Sequence, residues 1–146
     1  PATDLTPEFV RAAPDELLRG AGMSRAKVAA GKDLADKVMA GMVPSVEEVN
    51  AMTDEEVVRR LTVVRGIGAW TGGMLLIFNL GRADVLPLTD LGVRKGYMLT
   101  YGGEALPDAE RVRAAGERWR PFRSVASWYF WRATELKQPP PLNLPA

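Results

Sequence analysis

Apolar residues recur along this chain at spacings of three and four, and no stretch alternates with period two for long enough to form a strand. The pattern predicts an all-α fold, with helices at about 7–19, 24–41, 45–50, 54–63, 69–81, 90–101, 108–116 and 122–136. Ser24 stands ahead of the apolar Val28, and Ser45 with Glu48 and Thr53 with Glu56 have the reciprocal spacing of a capping box. Gly22, Gly41, Gly81 and Gly102 fall where helices should stop. Residues 1–136 therefore read as one helical domain without an internal linker or convincing repeat. Residues 138–146 hold four prolines, so 137–146 reads as a Pro-rich extended tail.

Composition removes most routes to catalysis. The chain has 146 residues, 47% of them hydrophobic, which is enough to bury a sizeable core, and it contains no cysteine and no histidine. Those absences exclude a disulfide framework, thiolate zinc or iron-sulfur sites, a cysteine nucleophile and a Ser-His-Asp triad. Carboxylates, arginines, hydroxyls and backbone remain. The net charge of +1 is too small to argue for nucleic acid by itself. Arg111, Arg113, Arg118, Arg120, Arg123 and Arg132 crowd one segment, and on charge alone they read as a solvated helical face. The longest apolar run, Met74 to Phe78, is far shorter than the roughly 20 residues a membrane span needs, so no membrane partner and a cytoplasmic location are expected. Pro1 is not an initiator methionine, which suggests a processed or trimmed start.

The most informative stretch is Leu61 to Leu76, LTVVRGIGAWTGGMLL. Gly66 and Gly68 flank Ile67 between two helical patterns, and glycines so placed permit a tight turn with positive φ and close approach of another backbone. Such a turn directs N–H groups at the positive start of the next helix, where a phosphate oxygen is stabilised without a side-chain charge. Ile67 is expected to point inward as the anchor. An ordinary corner between two helices would use the same residues.

Further blocks extend the pattern. VVRGIGAWT resembles the helix-hairpin-helix motif of DNA glycosylases, and further on the chain reads VLPLTDLGVRKG, Val85 to Gly96, with Pro87 and Asp90, the latter twenty residues beyond Trp70, similar to that superfamily's Gly/Pro-rich loop and aspartate. ERWRPFRSVASWYFWR, Glu117 to Arg132, resembles the closing helix of the DNA-3-methyladenine glycosylase II family, and Ala12 to Leu61 resembles its preceding helices. The resemblance implies a helical glycosylase domain lacking its N-terminal helices, and an enzyme of base excision repair acting on duplex DNA that contains alkylated bases.

What the resemblance assigns is also chemically reasonable. Breaking the bond from deoxyribose C1′ to a base nitrogen passes through a state with oxocarbenium character, which a nearby carboxylate stabilises. Asp90 is the family's candidate, as stabiliser of the cation and orienter of water, although an aspartate opening DLGVRKG is also explained as a helix N-cap. Asp84, Asp4 and Asp108 are weaker competitors, read as surface or capping residues. No second carboxyl adjoins Asp90, and a purine alkylated at N3 or N7 leaves as a neutral molecule without needing an acid. The family's bifunctional members carry a Schiff-base lysine where Trp70 stands here, and no lysine occurs between Lys37 and Lys95, so a water-using enzyme without abasic-site lyase activity is expected. An extruded cationic base would be held by aromatic faces, expected from Trp70 and Trp131 with Met74 one turn from Trp70. Trp119, Phe122, Trp128, Tyr129 and Phe130 read as core. DNA contacts are expected from Arg65, Gly66, Ile67, Gly68, Ala69 and Thr71, with Arg94 and Lys95 reaching either a phosphate or local acids. No cofactor is required, but backbone carbonyls of Thr62, Val64 and Ile67 match those that hold a monovalent cation, Na+ or K+, in relatives.

The resemblance has one gap. Relatives carry further helices ahead of the matched region, with a glutamine that wedges into the duplex, whereas the only glutamine here is Gln138. A longer natural enzyme, a homodimer covering an exposed apolar face, a non-catalytic helix-hairpin-helix module and an inactive glycosylase fragment all answer that gap.

Overall fold

The computed structural model describes residues 5–136, and every regular element among them is helical. The elements are α1 (Pro7–Ala12), α2 (Asp15–Gly20), α3 (Arg25–Met39), α4 (Val46–Ala51), α5 (Asp54–Leu61), α6 (Ala69–Phe78), α7 (Leu91–Tyr101), α8 (Ala109–Gly116) and α9 (Arg123–Glu135), with a 3-10 turn at Glu117–Trp119 before α9. The Pro-rich tail, Gln138 and Asp4 lie outside the described residues. No helix among the described residues is long and apolar enough to cross a membrane.

Where the pattern predicts one helix over 7–19, the chain forms two. Pro14 offers no N–H to continue α1, and Ala13 before it takes an extended conformation with ψ 134°. Both expected capping boxes form: Ser45 with Glu48 opens α4 and Thr53 with Glu56 opens α5, each satisfying two N–H groups reciprocally.

The backbone gathers into two compact units, one up to Gly72 and one from Gly73. The sequence pattern carries no linker at this division because it falls inside α6, between Gly72 and Gly73, where the helix continues through the boundary. In the first unit α1 and α2 pack on α3, burying Ala13, Leu18 and Val28 with Phe9 and Met23 against them. In the second, α7 and α9 form the main contact and enclose Val93, Val112 and Phe130, with Tyr97, Tyr101 and Trp119 around them.

Glycine makes the α7–α9 contact close. A Cβ at Gly96 would stand 2.0 Å from the carbonyl oxygen of Phe130, so α9 lies against bare α7 backbone. The buried face of α9 is Ser124, Ser127, Phe130 and Ala133, at helical spacing. That face corrects the expected core aromatics: Phe130 and Trp119 join the core, whereas Trp128 and Tyr129 are exposed on the other faces of the same helix and Phe122 is exposed at its N-cap.

Candidate active site

In the first unit, α5 ends at Leu61 and α6 starts at Ala69, leaving Thr62 to Gly68 as the turn. Gly66 takes φ +79°, and a Cβ there would lie 3.4 Å from Ala30 Cβ on α3. Only Gly66 of the glycine pair is left-handed; Gly68 stays outside that region and its carbonyl accepts the Gly72 N–H at 3.1 Å, which places it at the entry to α6. Ile67 is half-buried, while Arg65, Gly68, Ala69 and Trp70 are exposed and Thr71 is half-buried.

The turn is tied to α3 by a contact absent from the sequence reading. The Arg65 backbone N–H donates to Asp33 Oδ2 at 2.7 Å, and Lys37 Nζ holds the same oxygen at 2.6 Å. The Arg65 N–H, followed by Lys37, holds the Asp33 carboxyl below its usual range. The Val64 carbonyl accepts the Ile67 N–H at 3.1 Å, so its second lone pair is what remains for any cation at this turn.

In the second unit, the segment between α6 and α7 delivers Asp90 to the first turn of α7. Its anchor is the start of α9. Ser124 Oγ donates to the Arg82 carbonyl at 2.6 Å and accepts the Val85 N–H at 3.0 Å, while the Ser124 N–H donates to the Ala83 carbonyl at 2.9 Å. Asp84 receives Arg123 Nε at 2.6 Å and Arg120 Nη1 at 2.7 Å. The Arg123 hydrogen bond is the largest influence holding the Asp84 carboxyl below its usual range. Asp84 is thus an ion-pair anchor, while Asp108 is the N-cap of α8 that the sequence suggests.

Asp90 is 9% exposed. Its Oδ1 accepts two hydrogen bonds, one from the Val93 N–H at 2.8 Å and one from Trp131 Nε1 at 2.8 Å. The first makes Asp90 the N-cap of α7, so capping and a carboxylate held in a sparsely solvated place coexist in one residue. Two donors on one oxygen fix the orientation of the carboxyl group. The indole of Trp131 also stacks on Phe78, with ring centroids 5.6 Å apart and planes 27° from parallel. Phe78 is 60% exposed, and Trp70, Met74 and Phe78 lie along one face of α6 at spacings of four.

Arg94 is half-buried and its Nε donates to the Pro107 carbonyl at 2.7 Å, so it closes the α7–α8 connection instead of pairing with a nearby acid through that atom. Lys95 is exposed. Sequence reasoning missed Phe78, Gly92 and Asp33. Gly92 alone had a legible signal, since a glycine in the first turn of a helix costs stability and its presence points to a close neighbour.

No protein-family model matches the chain. DNA-3-methyladenine glycosylase 1 of Schizosaccharomyces pombe is 39% identical to it over 131 residues, which are 90% of this chain and 58% of that protein. The structure of the Schizosaccharomyces pombe 3-methyladenine DNA glycosylase Mag1 in complex with abasic DNA superposes with a TM-score of 0.85 at 38% identity, covering 92% of this chain and 66% of the other. The structure of DNA-3-methyladenine glycosidase from Bacillus halodurans gives a TM-score of 0.76 at 33% identity, over 88% of this chain and 58% of the other. The chain therefore spans about three fifths of the length of this Schizosaccharomyces pombe relative.

Proposed function

On the premise that this chain belongs with the DNA-3-methyladenine glycosylases in sequence and fold, we propose that it hydrolyses the N-glycosidic bond of alkylated purines in duplex DNA. The observation that carries the reading is the carboxylate of Asp90, buried at the start of α7 and held there by Trp131 Nε1. In the proposed reaction the bond from C1′ to the base nitrogen breaks and its electron pair neutralises the positively charged base. The negative charge of Asp90 lowers the energy of the cationic sugar left behind, water adds to C1′, and its proton passes to the carboxylate or to solvent. A leaving group that departs neutral needs no acid, so one carboxylate suffices for 3-methyladenine or 7-methylguanine.

The finer parts rest on chemistry and family likeness. Trp131, stacked on Phe78, offers a ring face to a cationic base, and the family resemblance adds Trp70 and Met74 as base contacts. The turn from Arg65 to Ala69, with Thr71, Arg94 and Lys95, is proposed to meet the DNA backbone. A Na+ or K+ ion would be held by the carbonyls of Thr62, Val64 and Ile67, adding positive charge for a phosphate to meet. Trp70 in place of an amine supports hydrolysis by water without strand cleavage.

The test is base release from duplex carrying 7-methylguanine, using the complete gene product, followed by alkali to reveal abasic sites. Release with strand breaks only after alkali is expected. No release, together with equal affinity for damaged and undamaged duplex, would replace this reading with a non-catalytic DNA-binding module.

A further inference from the structure

We propose that Gly92 is a positioning residue for the reaction, seating the Trp131 indole so that it holds Asp90; this deepens, and rests on, the reading of Asp90 as the charge that stabilises the sugar cation. Two side chains converge on one point of α7. A Cβ added at Gly92 would stand 2.6 Å from Trp131 Cδ1, 3.0 Å from Trp131 Nε1 and 3.1 Å from Asp90 Oδ1. The first distance is one that Cβ atoms do not adopt, so any side chain at 92 moves the indole.

Contacts on several sides define the seat of the indole. The α9 backbone is fixed against α7 at Gly96, where a Cβ would overlap the Phe130 carbonyl, and Trp131 is the next residue along. On its other side the ring meets Phe78 in a stacked contact. Asp90 is fixed in turn by its N-cap bond to the Val93 N–H. With both backbones set, the bond from Trp131 Nε1 to Asp90 Oδ1 depends on the indole occupying the space that a Cβ at residue 92 would fill. Gly92 thereby governs whether the indole N–H, the second donor to the carboxylate, stays in place.

The experiment uses the full-length protein with three variants: Gly92→Ala, Trp131→Phe and Asp90→Asn. Each is measured for 7-methylguanine release under single turnover, for affinity to duplex bearing a tetrahydrofuran abasic-site analogue, and for the Trp131 indole N–H resonance, identified by its loss in Trp131→Phe. Gly92→Ala is expected to slow release at least tenfold, leave abasic-duplex affinity within about threefold and shift the indole resonance. Release within twofold of the parent, or an unshifted resonance, overturns the proposal. If Gly92→Ala does not fold, Trp131→Phe carries the test: release slowed tenfold at retained affinity supports the indole donor, and unaltered release refutes it. Full activity in Asp90→Asn would sink the reading of Asp90 itself, whereas loss there with parental rates in the other two would sink only the role of Gly92.

Discussion

The backbone N–H of Arg65 is bound to the carboxylate of Asp33, thirty-two residues earlier in the chain, at 2.7 Å. A donor in the glycine turn is therefore committed to α3, and the turn's shape is set by a side chain outside it. Asp33→Ala should loosen the turn and weaken binding to undamaged duplex by roughly fivefold, the scale of one lost ordering contact, while the helical content stays as it is. Titration by fluorescence anisotropy alongside circular dichroism would check this, and unaltered affinity would mean that the turn holds its shape alone.

The clasp at Asp84 predicts a dependence on pH. Arg123 and Arg120 depress the folded carboxyl below its unfolded value of 3.8. The contribution is thus fully present above 3.8 and is lost as pH falls through the lower folded value. Asp84→Asn should cost about 1–2 kcal/mol at neutral pH, less than a fully buried pair because Arg120 is half exposed. Denaturation of parent and variant at pH 7 and pH 3 should show the difference shrinking at the acid end.

The close contact at Gly96 predicts a defect of stability. Gly96→Ala forces a methyl group against the Phe130 main chain, which has no flexible end to move aside. A loss of about 3 kcal/mol is expected, at the upper end for overpacking, with a fall in Tm of roughly 10 °C or more. Calorimetry would settle it, and a fall below about 2 °C would show that the two helices separate at little cost.

Asp90 combines two duties that substitutions can separate. Asparagine caps a helix about as well as aspartate, so Asp90→Asn should keep Tm within a few degrees while base release falls by about 10²–10³-fold. Asp90→Ala should show the same loss with a further destabilisation of about 1 kcal/mol. If Asp90→Asn loses stability and activity in parallel, the residue acts as a cap only.

The proposed absence of lyase chemistry is tested by borohydride during turnover. With Trp70 where an amine would be needed, no covalent protein–DNA adduct should form and the product strand should stay intact until alkali is added. An adduct that vanished in Lys95→Ala would assign lyase chemistry to that exposed lysine.

Helix positions were legible because capping and apolar spacing are local: Ser45 with Glu48, Thr53 with Glu56 and Asp90 with Val93 all act within one turn. Asp90 and Trp131 stand out in the sequence as proposed site residues only through family likeness, and their hydrogen bond does not show there at all, since it joins positions forty-one apart. Asp33 gave no signal because its partner is a backbone N–H, which every residue but proline offers. Phe122, Trp128 and Tyr129 were misread as core because aromatic content does not reveal a helix face; the buried face of α9 is set by the small Ser124, Ser127 and Ala133. Pro14 was the opposite case, a plain break signal overridden by the apolar rhythm on either side of it.

At Gly96, α7 and α9 meet main chain against main chain, so their spacing does not depend on which side chains surround them. Leu91 and Tyr129, both exposed, can then be exchanged without disturbing that main-chain contact. Under the proposed reaction, such a scaffold uncouples the position of the charge from the side chains around it, and the exposed positions beside it form the natural starting set for directed changes in the damage recognised.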